Sequence, residues 1–169
     1  MLRKLVLPVL AMLVVPAVAS AQFEAGDFDM TLSGSFSAPK NAQGAAIGAK
    51  VGLGYFLTKE FEASVRQQVT YLQLDQNVPG VDRTTWGGST QGAIDYHFDF
   101  GAFQPFVGVF GGYEYPGSAM GYWGVGPEAG LKYFVNGTTY VYGVLGYDYT
   151  TNKPTNSYFT GELGVGFKF

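Results

Sequence analysis

From Phe28 onward the chain is written in short stretches of strict alternation. Met30, Leu32 and Phe36 share one parity in the first stretch, Ile47, Val51, Leu53 and Tyr55 in the second, and Val65, Val69 and Tyr71 in the third. The terminal "LGVGFKF" sets Leu163, Val165, Phe167 and Phe169 against Gly164, Gly166 and Lys168. A period of two is the mark of a strand with one apolar face, and no stretch after Ala21 carries the 3.6-residue period of a helix. Eight strands are predicted: Phe28 to Ser37, Ala45 to Leu57, Phe61 to Leu74, Trp86 to Phe98, Phe103 to Tyr115, Tyr122 to Val135, Thr138 to Tyr149, and Tyr158 to Phe169. Each is near the roughly ten residues that a tilted strand needs to cross a bilayer.

The connectors alternate in length. "TKE" (Thr58 to Glu60), "DFG" (Asp99 to Gly101) and "NG" (Asn136, Gly137) are short, whereas "PKNAQG", "DQNVPGVDRTT", "PGSAMG" and "TNKPTN" are longer and rich in Pro, Gly, Asn and Asp. Asn-Gly predicts a two-residue type I′ hairpin, since both of its central residues take positive φ. Short turns at one end and long loops at the other describe an up-and-down meander, and an even strand number brings both ends of the meander to the short-turn side.

The apolar parity is bulky, and the opposite parity is mostly Gly, Ser, Thr and Gln with scattered charges; Gln67 interrupts the first set, and Tyr140, Tyr142 and Val144 blur the seventh strand. A soluble lipocalin-like barrel also alternates, with its large apolar set inside. Only 14% of the residues are charged, too few and too interleaved with glycine to coat a solvated exterior. The expectation is therefore a closed antiparallel up-and-down transmembrane β-barrel of about eight strands, all-β, with the apolar set facing lipid. Tyr71, Trp86, Tyr113, Tyr115, Trp123, Tyr147 and Phe159 fall near strand ends on the long-loop side, and Tyr55, Phe61, Phe98, Phe103, Tyr133 and Phe169 on the turn side. Tyr and Trp favour the membrane interface, so these form two girdles.

Composition adds an export signal. Arg3 and Lys4, an apolar run from Leu5 to Val15, and Ala19-Ser20-Ala21 make a secretory signal over residues 1–21, followed by a single barrel domain over 22–169. The apolar run is too short to anchor as a membrane helix. Cleavage after Ala21 leaves eight basic against thirteen acidic residues, a formal charge of −5, which excludes nucleic-acid binding by charge. No cysteine is present, so the fold uses neither disulfides nor thiolate chemistry.

Taken with these features, "QPFVGVFGGYEY", "GVGPEAGLKYF" and the closing "GVGFKF" resemble the small OmpA/OmpX-type outer-membrane β-barrel families over essentially the whole mature chain. The resemblance implies residence in the outer membrane of a diderm bacterium with periplasmic termini. Its implied surroundings are outer-membrane lipids, lipopolysaccharide included, and it implies that Phe167 and Phe169 act as a signal to the barrel-assembly machinery.

Chemistry is sought on the polar parity. Lys50, Arg66, Asp95, Glu128, Lys132 and Glu162 are predicted to share the lumen as a network of opposite charges, because unpaired ions there are costly. His97, the one histidine, is placed inward at the short-turn end and read as a structural imidazole bonded to a carboxylate, without a serine partner for lipid hydrolysis. Neither a metal site nor a cofactor is expected. Glycines 48, 52, 108, 112, 126 and 130 leave room for a narrow water-filled gap. Surface loops are the usual place for recognition, so Asp75, Asn77, Asp82, Arg83 and Lys153 are the candidate contacts for an extracellular ligand. The reading is a non-enzymatic barrel with an envelope-structural or loop-binding role; a lipid-modifying enzyme, a narrow ion channel and a soluble ligand-binding barrel stay open.

Overall fold

The structure is a computed structural model and describes residues 23–39, 44–74, 84–115, 120–151 and 157–169. The signal segment 1–21 and the loop residues Asp75, Asn77, Asp82, Arg83 and Lys153 lie outside the described residues. Eight strands follow in order: β1 Phe28–Pro39, β2 Gly44–Phe56, β3 Phe61–Leu74, β4 Thr84–His97, β5 Phe103–Tyr115, β6 Tyr122–Phe134, β7 Thr139–Thr150 and β8 Tyr158–Lys168. Their bounds depart from the predicted ones by at most two residues. Each strand runs antiparallel to its sequence neighbours, and β1 also pairs with β8, so the sheet closes on itself. Phe28 N donates to Phe169 O at 3.1 Å and Phe169 N to Phe28 O at 2.9 Å, fastening the seam at the short-turn end.

Closure leaves the ladder without an open edge, which a sheet needs in lipid because nothing there hydrates a free N–H or C=O. Polarity follows the same logic. Leu163, Leu145, Ile47, Val65 and Leu53 point outward and are 62–70% exposed, while Asp29, Asp95 and Asp148 are each 1% exposed on the inside. A soluble barrel would be arranged the other way round, so the lipocalin-like alternative is overturned by the side-chain orientation.

Paired rings form two belts on the exterior. At the turn end Phe28 meets Tyr55, Phe61 meets Tyr96 and Phe103 meets Tyr133, with centroids 4.8–5.0 Å apart. At the loop end Tyr71 meets Trp86, Tyr113 meets Trp123 and Tyr147 meets Phe159 at 4.8–5.4 Å. Register makes these pairs, because the partners lie directly opposite across adjacent strands. Gln67, the break in the apolar parity, still points outward. Thr90 Oγ1 donates to its amide oxygen at 2.7 Å and its amide nitrogen donates to the Tyr115 hydroxyl, so the polar group is satisfied on the lipid side.

One expectation about the turns is corrected. The Asn136-Gly137 turn is not type I′: Gly137 does not take positive φ, which among the described residues is confined to Gly26 and Gly101. Instead the Asn136 side-chain oxygen accepts from Thr138 N at 2.9 Å and Thr139 N at 2.8 Å, doing the work of a backbone turn. The other short turns use the same device, with Thr58 Oγ1 accepting from Phe61 N at 3.1 Å and Asp99 Oδ1 from Gly101 N at 2.9 Å. At two inner-face glycines a neighbouring carboxylate occupies the space a side chain would take. A Cβ on Gly108 would lie 2.9 Å from the Asp95 carboxyl carbon, and one on Gly54 at the same distance from that of Glu62.

Candidate functional site: the barrel interior

Inward positions stack from the short-turn end upward. Lowest is an aromatic floor: Phe23 enters from before β1 and stacks on Phe56 with centroids 3.9 Å apart, edge-on to Phe134 at 5.3 Å and to Tyr140 at 5.9 Å. Phe23, Phe56, Phe134 and Tyr140 are all buried, closing this end with packed rings. Tyr140 and Tyr142, left ambiguous by the alternation of β7, both face inward here together with Val144. Their hydroxyls explain the choice, since each reaches a lumen carboxylate.

Lys132 stands on this floor. Its ammonium lies 4.8 Å from the Phe23 ring centre and 5.1 Å from that of Tyr140, in the range of a cation–π contact. It also donates to Asp29 Oδ2 at 2.7 Å and to Glu62 Oε2 at 2.8 Å. Tyr140 OH adds a 2.5 Å bond to Asp29, and His97 Nε2 lies 2.9 Å from Glu62 Oε2. His97 is therefore oriented by a lumen carboxylate, deep in the barrel and against the Phe106 ring at 5.1 Å.

Above this layer Arg66 bridges two strands. Its Nη2 is 2.8 Å from Asp95 Oδ2, its Nη1 is 2.8 Å from the Glu128 carboxylate, and its Nε donates to Ser64 Oγ at 3.2 Å. The planar fork of a guanidinium suits this double engagement better than an ammonium would. On the opposite wall Lys50 pairs with Glu162 at 2.7 Å, and Glu162 accepts from Ser33 Oγ at 2.8 Å and Tyr142 OH at 2.6 Å. All six charges named from the sequence thus face the interior, in two separate groups, with Lys132 in a third.

Asp29 and Glu62 belong to the network yet were not named from the sequence. The signal was present, since Asp29 shares the inward parity of Ser33, and Glu62 that of Arg66. Both sit within two residues of a strand start, where parity is least secure when bounds come from pattern alone.

Glu62, Asp95 and His97 bring donor atoms within 4.8 Å of one another, a spacing that would admit a metal ion. Lys132 lies 2.8 Å from the Glu62 carboxylate and Arg66 2.8 Å from that of Asp95, so ammonium and guanidinium groups supply positive charge here. The space enclosed among Thr31, Glu62, Arg66, Lys132, Tyr142 and Glu162 is about 20 Å³. That is room for roughly one water.

An apolar, aromatic-girdled outside around a charged inside defines a small transmembrane β-barrel. The fold is the OmpA/OmpX type of outer-membrane barrel, and solved structures share it. Neisserial surface protein A superposes with a TM-score of 0.61 at 15% identity, covering 86% of this chain and 96% of that one. OprG from Pseudomonas aeruginosa gives 0.58 at 14%, covering 88% and 98%. Ail, the attachment invasion locus protein of Yersinia pestis, gives 0.51 at 12%, covering 87% and 100%. No protein-family model matches the chain, and no curated protein matches it in sequence.

Proposed function

We propose that this protein is a non-enzymatic outer-membrane barrel with periplasmic termini, whose interior is a structural plug and whose role is envelope integrity or recognition through its long loops. The observation that carries this reading is the charge pairing across the lumen: Arg66, Lys132 and Lys50 each engage buried carboxylates, and a cavity bordered by Arg66 and Lys132 measures about 20 Å³. Such an interior resists solute passage and stiffens the scaffold that displays the loops. Asp75, Asn77, Asp82, Arg83 and Lys153 are the proposed loop contacts, Phe167 and Phe169 the proposed signal to the barrel-assembly machinery, and lipopolysaccharide with other outer-membrane lipids the proposed surroundings. Loop recognition draws support by analogy of fold from Ail, which has been solved in complex with the heparin analogue sucrose octasulfate.

The test is reconstitution of the mature chain into planar bilayers alongside fractionation of cells. Outer-membrane recovery, a β-rich band that shifts on heating before SDS electrophoresis, and bilayers without stable conductance steps are expected. Reproducible open-channel steps would replace the plug with a pore.

A further inference from the structure

The long-loop mouth holds a charged layer unlike those beneath it. Glu114 near the end of β5 and Asp148 near the end of β7 face inward there, joined by Tyr122 at the start of β6 and Tyr158 at the start of β8. Tyr122 OH donates to Glu114 Oε2 at 2.9 Å, and Tyr158 OH donates to Glu114 Oε1 while lying 3.5 Å from Asp148 Oδ2. One hydroxyl hydrogen cannot serve both carboxylates. Asp148 is 1% exposed, and its Oδ1 has no hydrogen-bond partner.

In the lower layers Asp29, Glu62, Asp95, Glu128 and Glu162 each lie within 2.8 Å of a lysine or arginine nitrogen. Among the described residues neither Glu114 nor Asp148 has such a partner, and the Lys50 ammonium is held by Glu162. Gly124 faces the Asp148 carboxylate from β6: a Cβ there would lie 2.5 Å from Oδ1 and 2.7 Å from Oδ2, so glycine is what lets the carboxylate stand in this position. The result is a fully buried acid and a half-buried one, tyrosine hydroxyls beside them, and an acceptor oxygen left over, at the mouth of the barrel. Buried carboxylates without a counter-charge are strongly disfavoured, and a hard divalent cation with oxygen ligands supplies both the charge and the missing contact.

We propose that Glu114 and Asp148 bind a divalent cation of the calcium type at the long-loop mouth, with Tyr122 and Tyr158 positioning the carboxylates. The tyrosines give the test its signal. Mature protein refolded in a non-ionic detergent is titrated with Tb³⁺ under tyrosine excitation, then with Ca²⁺ as competitor, and its unfolding midpoint is followed with Ca²⁺ or EDTA. Saturable sensitised emission displaced by Ca²⁺, with a higher midpoint in Ca²⁺ than in EDTA, is expected. Asp148→Asn and Glu114→Gln, each checked for the heat-modifiable band, should weaken Tb³⁺ binding at least tenfold and abolish the Ca²⁺ effect on the midpoint. Emission that Ca²⁺ does not displace in the wild type, or that folded Asp148→Asn leaves unchanged, overturns the proposal and assigns the acids to a shared proton. The wild-type competition is decisive even if neither variant folds.

Discussion

Arg66 is the residue on which the middle of the barrel depends. It sits between Asp95 and Glu128, which come from β4 and β6, and no second cation is paired with either acid among the described residues. Arg66→Met keeps much of the side-chain volume and removes the charge. It is expected to destabilise the barrel by about 3–5 kcal/mol, because it strands two buried carboxylates. Urea unfolding in lipid vesicles measures this, and the triple replacement of Arg66, Asp95 and Glu128 by apolar residues should recover a large part of the loss. An equal loss in the triple variant would mean that packing of the arginine stem, not charge pairing, is what matters. Phe23 offers a contrasting case without charge. Buried among Phe56, Phe134 and Tyr140, it should cost about 3–5 kcal/mol on conversion to Ala by the same measurement.

At the scale of the strand, the two parities live in different solvents. Leu145 lies mid-strand in β7, outward and 67% exposed. In a water-soluble protein Leu145→Arg would be close to neutral, whereas at the bilayer midplane it should cost about 2–4 kcal/mol. The same substitution at Phe159, near the loop end of β8, should cost about 0–1 kcal/mol, since the interface tolerates charge. Unfolding titrations of the two variants in vesicles of one lipid measure the depth dependence; equal costs would argue against the membrane orientation. The turns teach a different lesson at this scale. Asn136, Thr58 and Asp99 are all recognisable as turn residues, but at Asn136-Gly137 a side-chain oxygen rather than positive φ closes the turn. A side-chain oxygen accepting two backbone N–H groups makes positive φ unnecessary, and the four-residue connection leaves the ladder in register on both sides.

For the whole molecule, closure is the property that no single strand contains. The β1–β8 pairing joins residues at opposite ends of the sequence, from Asp29 with Lys168 to Pro39 with Tyr158. A chain ending before Tyr158 would leave β1 and β7 as open edges in hydrocarbon, where unpaired backbone groups are costly. It is therefore expected to give no heat-modifiable band and to be recovered as aggregate or proteolysed fragments; a folded, membrane-inserted truncate would show that seven strands suffice. The same contact between sequence ends makes folding slow, because long-range pairing must form before the barrel can satisfy its own backbone.

Much of this was readable from one line of sequence, because alternation encodes which side of a strand meets which solvent and connector length encodes which end is which. The strand order, the outward coat from Met30 to Phe169 and the inward Arg66, Asp95 and Glu128 all follow from period two. Parity places a side chain on a face but does not say which other strand it meets. Only the closed ring decided that Lys132 of β6 reaches Asp29 of β1 and Glu62 of β3, that Tyr140 and Tyr142 turn inward to serve carboxylates, and that Phe23 fills the floor beneath them. The physical reason is that curvature brings distant strands face to face across a narrow lumen, and the partners found there have no neighbourhood in sequence.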